Sequence, residues 1–362
     1  MNEEVRRRWH GHVLRRRWML LSAVVMMVGE LWMPRSVGLR AAVQPGDSGG
    51  GFVEITPGTR RQIEKGLKYL ASIQGEDGSY GARHYGRHVG ITALACLAFM
   101  ADGNLPGRGP YGVNVQRGLE FILDHAQETG LIAANTSHGP MYGHGFATLF
   151  LGEVYGQPPD PRVREALVKA VRLIVASQNN EGGWRYQPVP VEADISVTIC
   201  EIMALRSARN AGISVPKETI DRAIKYVKDC NNPADGGFLY RINQGTSAFP
   251  RSAAGVASLY YAGVYEGDIL DRGLKYLMRY KNQQGSNRRM GHYFYGHYYA
   301  AQAMHLAGGQ YWRDWYPMIR DELLKQQRED GSWTYNHGES YATAMALLVL
   351  QMPNEVLPIF EK

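Results

Sequence analysis

An internal repeat constrains this chain more than any other feature. Three segments share the pattern Gln-x-x-x-Gly-x-aromatic: Gln74, Gly78 and Tyr80; Gln178, Gly182 and Trp184; Gln327, Gly331 and Trp333. A fourth, Asn232, Gly236 and Phe238, carries Asn in the Gln place. A decayed copy, Ala126, Gly130 and Ile132, lies between the first two, and Tyr280-Lys281-Asn282 marks another eroded junction. Junctions at 74, 126, 178, 232, about 280 and 327 make six units.

Every unit has the same grammar. An amphipathic helical pattern precedes the junction, as in Ile63, Leu67 and Leu70, or Val163, Leu167, Ala170 and Ile174. Thr56-Pro57 and Asp160-Pro161 supply a cap residue followed by proline in the first turn. After the junction comes a helix poorer in charge and richer in Ala, Gly and Ser, for example 195–207 or 340–351. Small residues allow close helix packing, and low charge means that both faces are covered. Outer amphipathic and inner apolar helices in alternation predict an all-α chain, an (α/α)6 toroid of six helical hairpins over residues 56–355. An open solenoid of helix pairs is the competing geometry. Six units with no distinct polar cap at either end favour closure. The 42 glycines sit largely at the junctions, where tight turns need positive φ.

These junctions resemble the QW repeats of squalene and terpene cyclases, which are grouped with the prenyltransferase/squalene oxidase repeats. The resemblance covers roughly residues 58–352 and implies one α/α toroid. It specifies architecture better than activity, because the glutamine amide can tie helix ends together with the aromatic stacked beside it. The resemblance also implies where chemistry would sit. Class II terpene cyclases use Asp-x-Asp-Asp, whose middle acid protonates an alkene or epoxide. Here Glu192-Ala193-Asp194-Ile195 opens the third inner helix, with Asp194 on the middle position, Glu192 on the first and Ile195 in place of the third acid. Asp194 and Glu192 are therefore the candidate catalytic residues. A proton donor must stay neutral yet strongly acidic, which needs burial and support from neighbouring groups. A second role for Asp194, compatible with the first, is to cap the inner helix.

Other toroid chemistries lack their motifs. Cys200 is six residues from Asp194, the wrong spacing for a prenyltransferase zinc site, and Cys96, Cys200 and Cys230 read as small hydrophobes. There is no Asp-Asp-x-x-Asp and no Gly-Cys-Gly-Glu-Gln. No cofactor and no metal are expected.

The polar residues that remain distinctive are histidine and tyrosine. His84, His88, His138, His144, His292, His297 and His337 all fall between an outer helix and the first turn of the next inner one. Tyr142, Tyr186, Tyr293, Tyr295, Tyr341, Arg251 and Glu339 share those segments. In a closed toroid the segments converge on one mouth, toward which six inner-helix N-termini point. The expected ligand-binding rim is His88, His144, Tyr142, Arg251, His292, Tyr295, His297, Glu339 and Tyr341. Helix N-termini favour an anionic group there, and aromatic faces suit a carbocation or a sugar ring. The plainer alternative is that these side chains only furnish polar loops or core packing.

Charge separates the termini from the body. Residues 1–40 hold eight arginines and three glutamates, 8 − 3 = +5 of the formal +6. Arg6-Arg7-Arg8 and Arg15-Arg16-Arg17 precede an uncharged run, Trp18 to Gly29, which falls short of the about 20 residues a membrane span needs. Residues 1–42 are expected to be an export signal or signal anchor, of twin-arginine type, and 43–55 a linker. The expected location is the periplasm or cell envelope, with membrane association through the N-terminal segment. The near-neutral remainder excludes a nucleic-acid partner. Three functions follow: a toroid binding an apolar or anionic small molecule, isoprenoid or glycan, or an envelope protein partner; a class II-type terpene cyclase; and a carbohydrate hydrolase or lyase. The last needs two carboxylates roughly 5–10 Å apart.

Overall fold

The computed structural model describes residues 54–361, apart from 83–85, 135–138, 158 and 282–290. Met1–Gly51 and Phe52–Lys362 form separate units, and only the second contains described residues. The expected export signal, nearly all of the expected linker, His84 and His138 lie outside the described residues.

Among the described residues, twelve α-helices alternate between two layers. The outer ones are α1 (Pro57–Ile73), α3 (Gly112–Asp124), α5 (Pro161–Ser177), α7 (Lys217–Asp229), α9 (Asp268–Met278) and α11 (Gly309–Gln326). The inner ones are α2 (Val89–Ala101), α4 (Met141–Val154), α6 (Ile195–Asn210), α8 (Phe249–Tyr261), α10 (Tyr293–Ala307) and α12 (Glu339–Gln351). A short antiparallel hairpin, β1 (Gly81–Ala82) with β2 (Gly86–Arg87), follows α1.

Local sequence explains both helix types. Thr56 caps α1 by accepting from the Thr59 N–H, and Pro57 fills the first turn, where its missing donor costs nothing. Asp160 and Pro161 do the same for α5. The apolar stripe of α1, Ile63, Leu67 and Leu70, is fully buried, whereas every residue of α2 is buried. Each inner helix packs on the next, α2 on α4, then α6, α8, α10 and α12, and α12 packs back on α2. The ring is closed.

The junction motif shows how the closure is held. Gln74 Nε2 donates to Gly78 O and to Asn114 O of α3, both at 2.9 Å. Gln178 Nε2 donates to Gly182 O and to Thr219 O of α7. Gln327 Nε2 donates to Gly331 O at 2.9 Å and to Gln62 O of α1 at 2.8 Å, so the last junction holds the first outer helix. The glycines are needed for the same contact. Gly182 has φ +100°, and a Cβ there would come within 2.2 Å of the Arg222 carbonyl; at Gly331 it would meet Lys65 O at 2.5 Å.

The junction aromatic hydrogen-bonds where stacking on the glutamine was expected. Trp184 Nε1 donates to Ile174 O at 2.7 Å and Trp333 Nε1 to Leu323 O at 2.9 Å, tying the junction to the last turn of the outer helix. The backbone N–H of the same residue donates to a side chain in the next inner helix. The pairs are Tyr80 with Thr92, Trp184 with Thr198, Phe238 with Ser252, Trp333 with Thr343, and Ile132 with His144 Nδ1 at 3.1 Å. At the ends of the inner helices remote from the junctions, Gln351 and Asn354 donate to Ala98 O and Ala101 O, and Ile359 N to Glu153 Oε2.

Candidate functional site

A cavity of about 800 Å³ opens at the N-terminal ends of four inner helices. Tyr142 of α4, Ser196 of α6, Arg251 of α8, and His292 and Tyr295 at the start of α10 line it. Tyr186 and Tyr240, from the two intervening junctions, complete an aromatic wall, with the Gln244-Gly245 turn above it. The Tyr186 and Tyr240 hydroxyls are 2.5 Å apart. Tyr295 donates to the Ser196 carbonyl at 3.1 Å, fixing its ring across the ring of helices from α6.

Asp194 sits at the N-cap of α6, fully buried. Its Oδ1 accepts from Ser196 N at 2.9 Å and Val197 N at 3.0 Å. Its Oδ2 is equally buried and has no hydrogen-bond partner among the described residues. Burial pushes the carboxyl above the usual range; the two amides, the Tyr240 phenol and the Arg185 guanidinium oppose that shift without cancelling it. The Tyr240 phenol is close enough to Asp194 to favour its charged form. Burial, and after it the Asp194 carboxyl, push the phenols of Tyr142 and Tyr240 upward, so both remain neutral donors. The arrangement raises the proton affinity of a buried carboxyl two residues from Ser196, the α6 residue that lines the cavity.

Glu192 is placed differently from Asp194. It is exposed, its Oε2 takes Arg185 Nη1 at 2.6 Å, and its Oε1 takes Arg241 Nη2 at 3.3 Å. Both of its carboxylate oxygens are thus engaged by guanidinium groups at the surface.

The predicted rim divides into two groups. Tyr142, Arg251, His292 and Tyr295 line the cavity, Arg251 with its guanidinium 5.9 Å from the centre of the Tyr240 ring. The other members lie elsewhere. His144 is the buried junction clamp opposite Ile132, and burial holds it near a pKa of about 4. His297 is enclosed by Tyr293, Phe249 and Trp315, with ring centres 4.5, 5.0 and 6.0 Å away, and burial lowers it to about 3. Both are excluded from the cavity because their rings fill the wall between the helix layers. His88 caps α2 by accepting from Gly90 N. Glu339 opens α12 with Arg328 at 4.0 Å, and Tyr341 meets His337 edge-on at 5.6 Å.

Tyr240 was not singled out from the sequence, although a signal for it exists. It stands two residues after the junction aromatic Phe238, as Tyr186 follows Trp184 and Tyr335 follows Trp333. Arg185 and Arg241 were also missed, since their role depends on Glu192. Among the described residues no group of three or more His, Cys, Asp or Glu could hold a metal ion, and no helix is long and apolar enough to cross a membrane.

No family model matches the chain. A drimenyl diphosphate synthase of Streptomyces showdoensis is 26% identical over 188 residues, 51% of this chain and 33% of that protein. The aligned segment thus spans about a third of the curated relative's length. Among solved structures, the type II terpene cyclase MstE from Scytonema superposes with a TM-score of 0.58 at 14% identity, covering 83% of this chain and 99% of its own. The α-1,6-mannanase GH76A of Salegentibacter sp. HEL1_6, in complex with α-1,6-mannotriose, gives 0.61 at 8% identity over 82% and 99%. With the closed ring of inner helices, these likenesses show the architecture: the chain is an α/α toroid, the fold that the terpene cyclase and the mannanase share.

Proposed function

We propose that the toroid is a class II-type terpene cyclase that starts its reaction by protonating a carbon–carbon double bond. The observation that carries this reading is Asp194, a fully buried acid with one unbonded oxygen, beside a cavity walled by four tyrosines. In this scheme Oδ1 is held by two helix N–H groups, and Oδ2 carries the proton that is given up. The π electrons of the alkene form the new C–H bond, and the carbocation lies against the faces of Tyr142, Tyr186, Tyr240 and Tyr295. Neutral phenols suit this role, because a phenolate would capture the cation. Arg251 has no ion-pair partner among the described residues, so its guanidinium is suited to an anionic end of the substrate. The drimenyl diphosphate synthase likeness and the fold shared with MstE, which was solved with geranylgeranyl dihydroxybenzoate as substrate, favour an isoprenoid chain.

A glycosidase is disfavoured. A glycosidase needs a pair of carboxylates, and Glu192, the other acid beside Asp194, is engaged by two arginines at the surface. The test is to incubate the purified full chain with prenyl diphosphates and squalene, followed by mass spectrometry of the lipid extract. Cyclic product from wild type and none from Asp194→Asn supports cyclisation. Tight binding of the same lipids without conversion would leave a binding protein instead.

A further inference from the structure

Arg185 is placed where the proposed acid needs a counter-charge. It follows the junction Trp184 and is only 24% exposed at its side chain. One face of its guanidinium lies 5.1 Å from the centre of the Tyr186 ring, and Nη1 is bound to Glu192 Oε2 at 2.6 Å. Its Nε is 3.9 Å from Asp194 Oδ2, the oxygen without a hydrogen bond. Glu192 in turn is tied to Arg241, on the next repeat's junction, so the guanidinium is held from two repeats. Arginine suits this place because its planar fork can engage one carboxylate while another nitrogen faces a second.

We propose that Arg185 is a positioning residue whose guanidinium, held by Glu192, stabilises the Asp194 carboxylate formed when the proton leaves for substrate. The inference rests on Asp194 being the proton donor. In that step the Oδ2–H bond breaks and its electron pair stays on the carboxylate. The alkene π pair makes the new C–H bond, leaving a carbocation. The cascade ends when the final cation loses a proton to water, and solvent returns one to Asp194, so the net change is an isomerisation. The spacing is suited to both halves of the cycle. A guanidinium in direct contact would keep Asp194 ionised with nothing to donate, whereas one just beyond contact acts strongly only once charge develops. Ile195 stands where the family's third acid would be, and Arg185 takes over the support of the donor from the opposite sign of charge.

The test combines a titration and a rate profile on the full chain. Carboxyl ¹³C NMR of Asp-labelled protein, with the Asp194 signal identified by its loss in Asp194→Asn, reads the titration midpoint directly. Removing an opposite charge at this distance in Arg185→Met should raise the midpoint by about one unit or more. The falling alkaline limb of product formation should move to higher pH by the same amount, with the plateau rate about tenfold lower, following Brønsted behaviour. Arg185→Lys, which keeps the charge, should restore most of the shift. A merely structural arginine would lower the rate without moving midpoint or limb. Should Arg185→Met fail to fold, Arg185→Gln reads the same quantity. An unmoved midpoint in a folded variant overturns the proposal while leaving the cyclase reading intact. Unchanged product formation in Asp194→Asn overturns both.

Discussion

Removing Gln327 tests whether the toroid is closed in solution. Its Nε2 donates to Gly331 O at 2.9 Å within its own junction and to Gln62 O at 2.8 Å, across 265 residues of sequence. Its Oε1 is buried without a partner, a small cost that truncation removes. Two intramolecular hydrogen bonds contribute about 1 kcal/mol each net, so Gln327→Ala should destabilise by about 1–2 kcal/mol after that relief. For a domain of this size the loss corresponds to a Tm lower by roughly 2–6 °C. Gln178→Ala removes the equivalent pair of bonds within the body of the ring, to Gly182 O and Thr219 O, and is the internal standard. Urea unfolding followed by far-ultraviolet circular dichroism gives both values, and similar m-values would show that the same surface unfolds cooperatively. A closed ring requires Gln327→Ala to cost an amount of the same order as Gln178→Ala. If Gln178→Ala costs its full amount and Gln327→Ala nothing, the seam between α11 and α1 is open and the account of closure fails.

Three further outcomes follow from particular contacts. Thr198→Val should leave the buried Trp184 N–H without its acceptor, costing about 1–3 kcal/mol in chemical denaturation, whereas Thr198→Ser should be nearly neutral. Burial raises Glu153 to about 7, above the usual carboxylate range, so its contribution is fully present below the unfolded pKa and declines as pH rises through about 7. The decline is at most about 3 kcal/mol. Glu153→Gln should flatten stability between pH 5 and 8, and an unchanged slope would contradict the assignment. Arg251→Ala should weaken binding of an anionic-headed isoprenoid by about tenfold, measured by calorimetry, and leave a neutral analogue of the same chain length unaffected.

The architecture was legible because its determinants are local and repeated. Gln178, Gly182 and Trp184 act within a few residues of one another and against the next outer helix, so their spacing alone identifies the junction. The role of Asp194 as a helix cap was legible for the same reason. The histidines were not. His144 lies one turn into its inner helix, where Thr92, Thr198 and Ser252 accept the junction N–H in other repeats. Counting histidines at the mouth therefore merged a clamp with true lining residues such as His292. The ion pairs of Glu192 were not legible because one partner, Arg241, lies 49 residues away. Tyr240 lies two residues beyond the junction aromatic, outside the motif itself, and its place in the wall depends on Tyr186, 54 residues away.

The central claim is that buried Asp194 gives a proton to an alkene in the tyrosine-walled cavity. The most direct measurement is incubation of the full chain with an isoprenoid substrate in D₂O, followed by mass and NMR analysis of the product. The account predicts a cyclic product carrying one deuterium at the carbon protonated first, formed by wild type and absent with Asp194→Asn. Product without that deuterium, or undiminished product from Asp194→Asn, would contradict it.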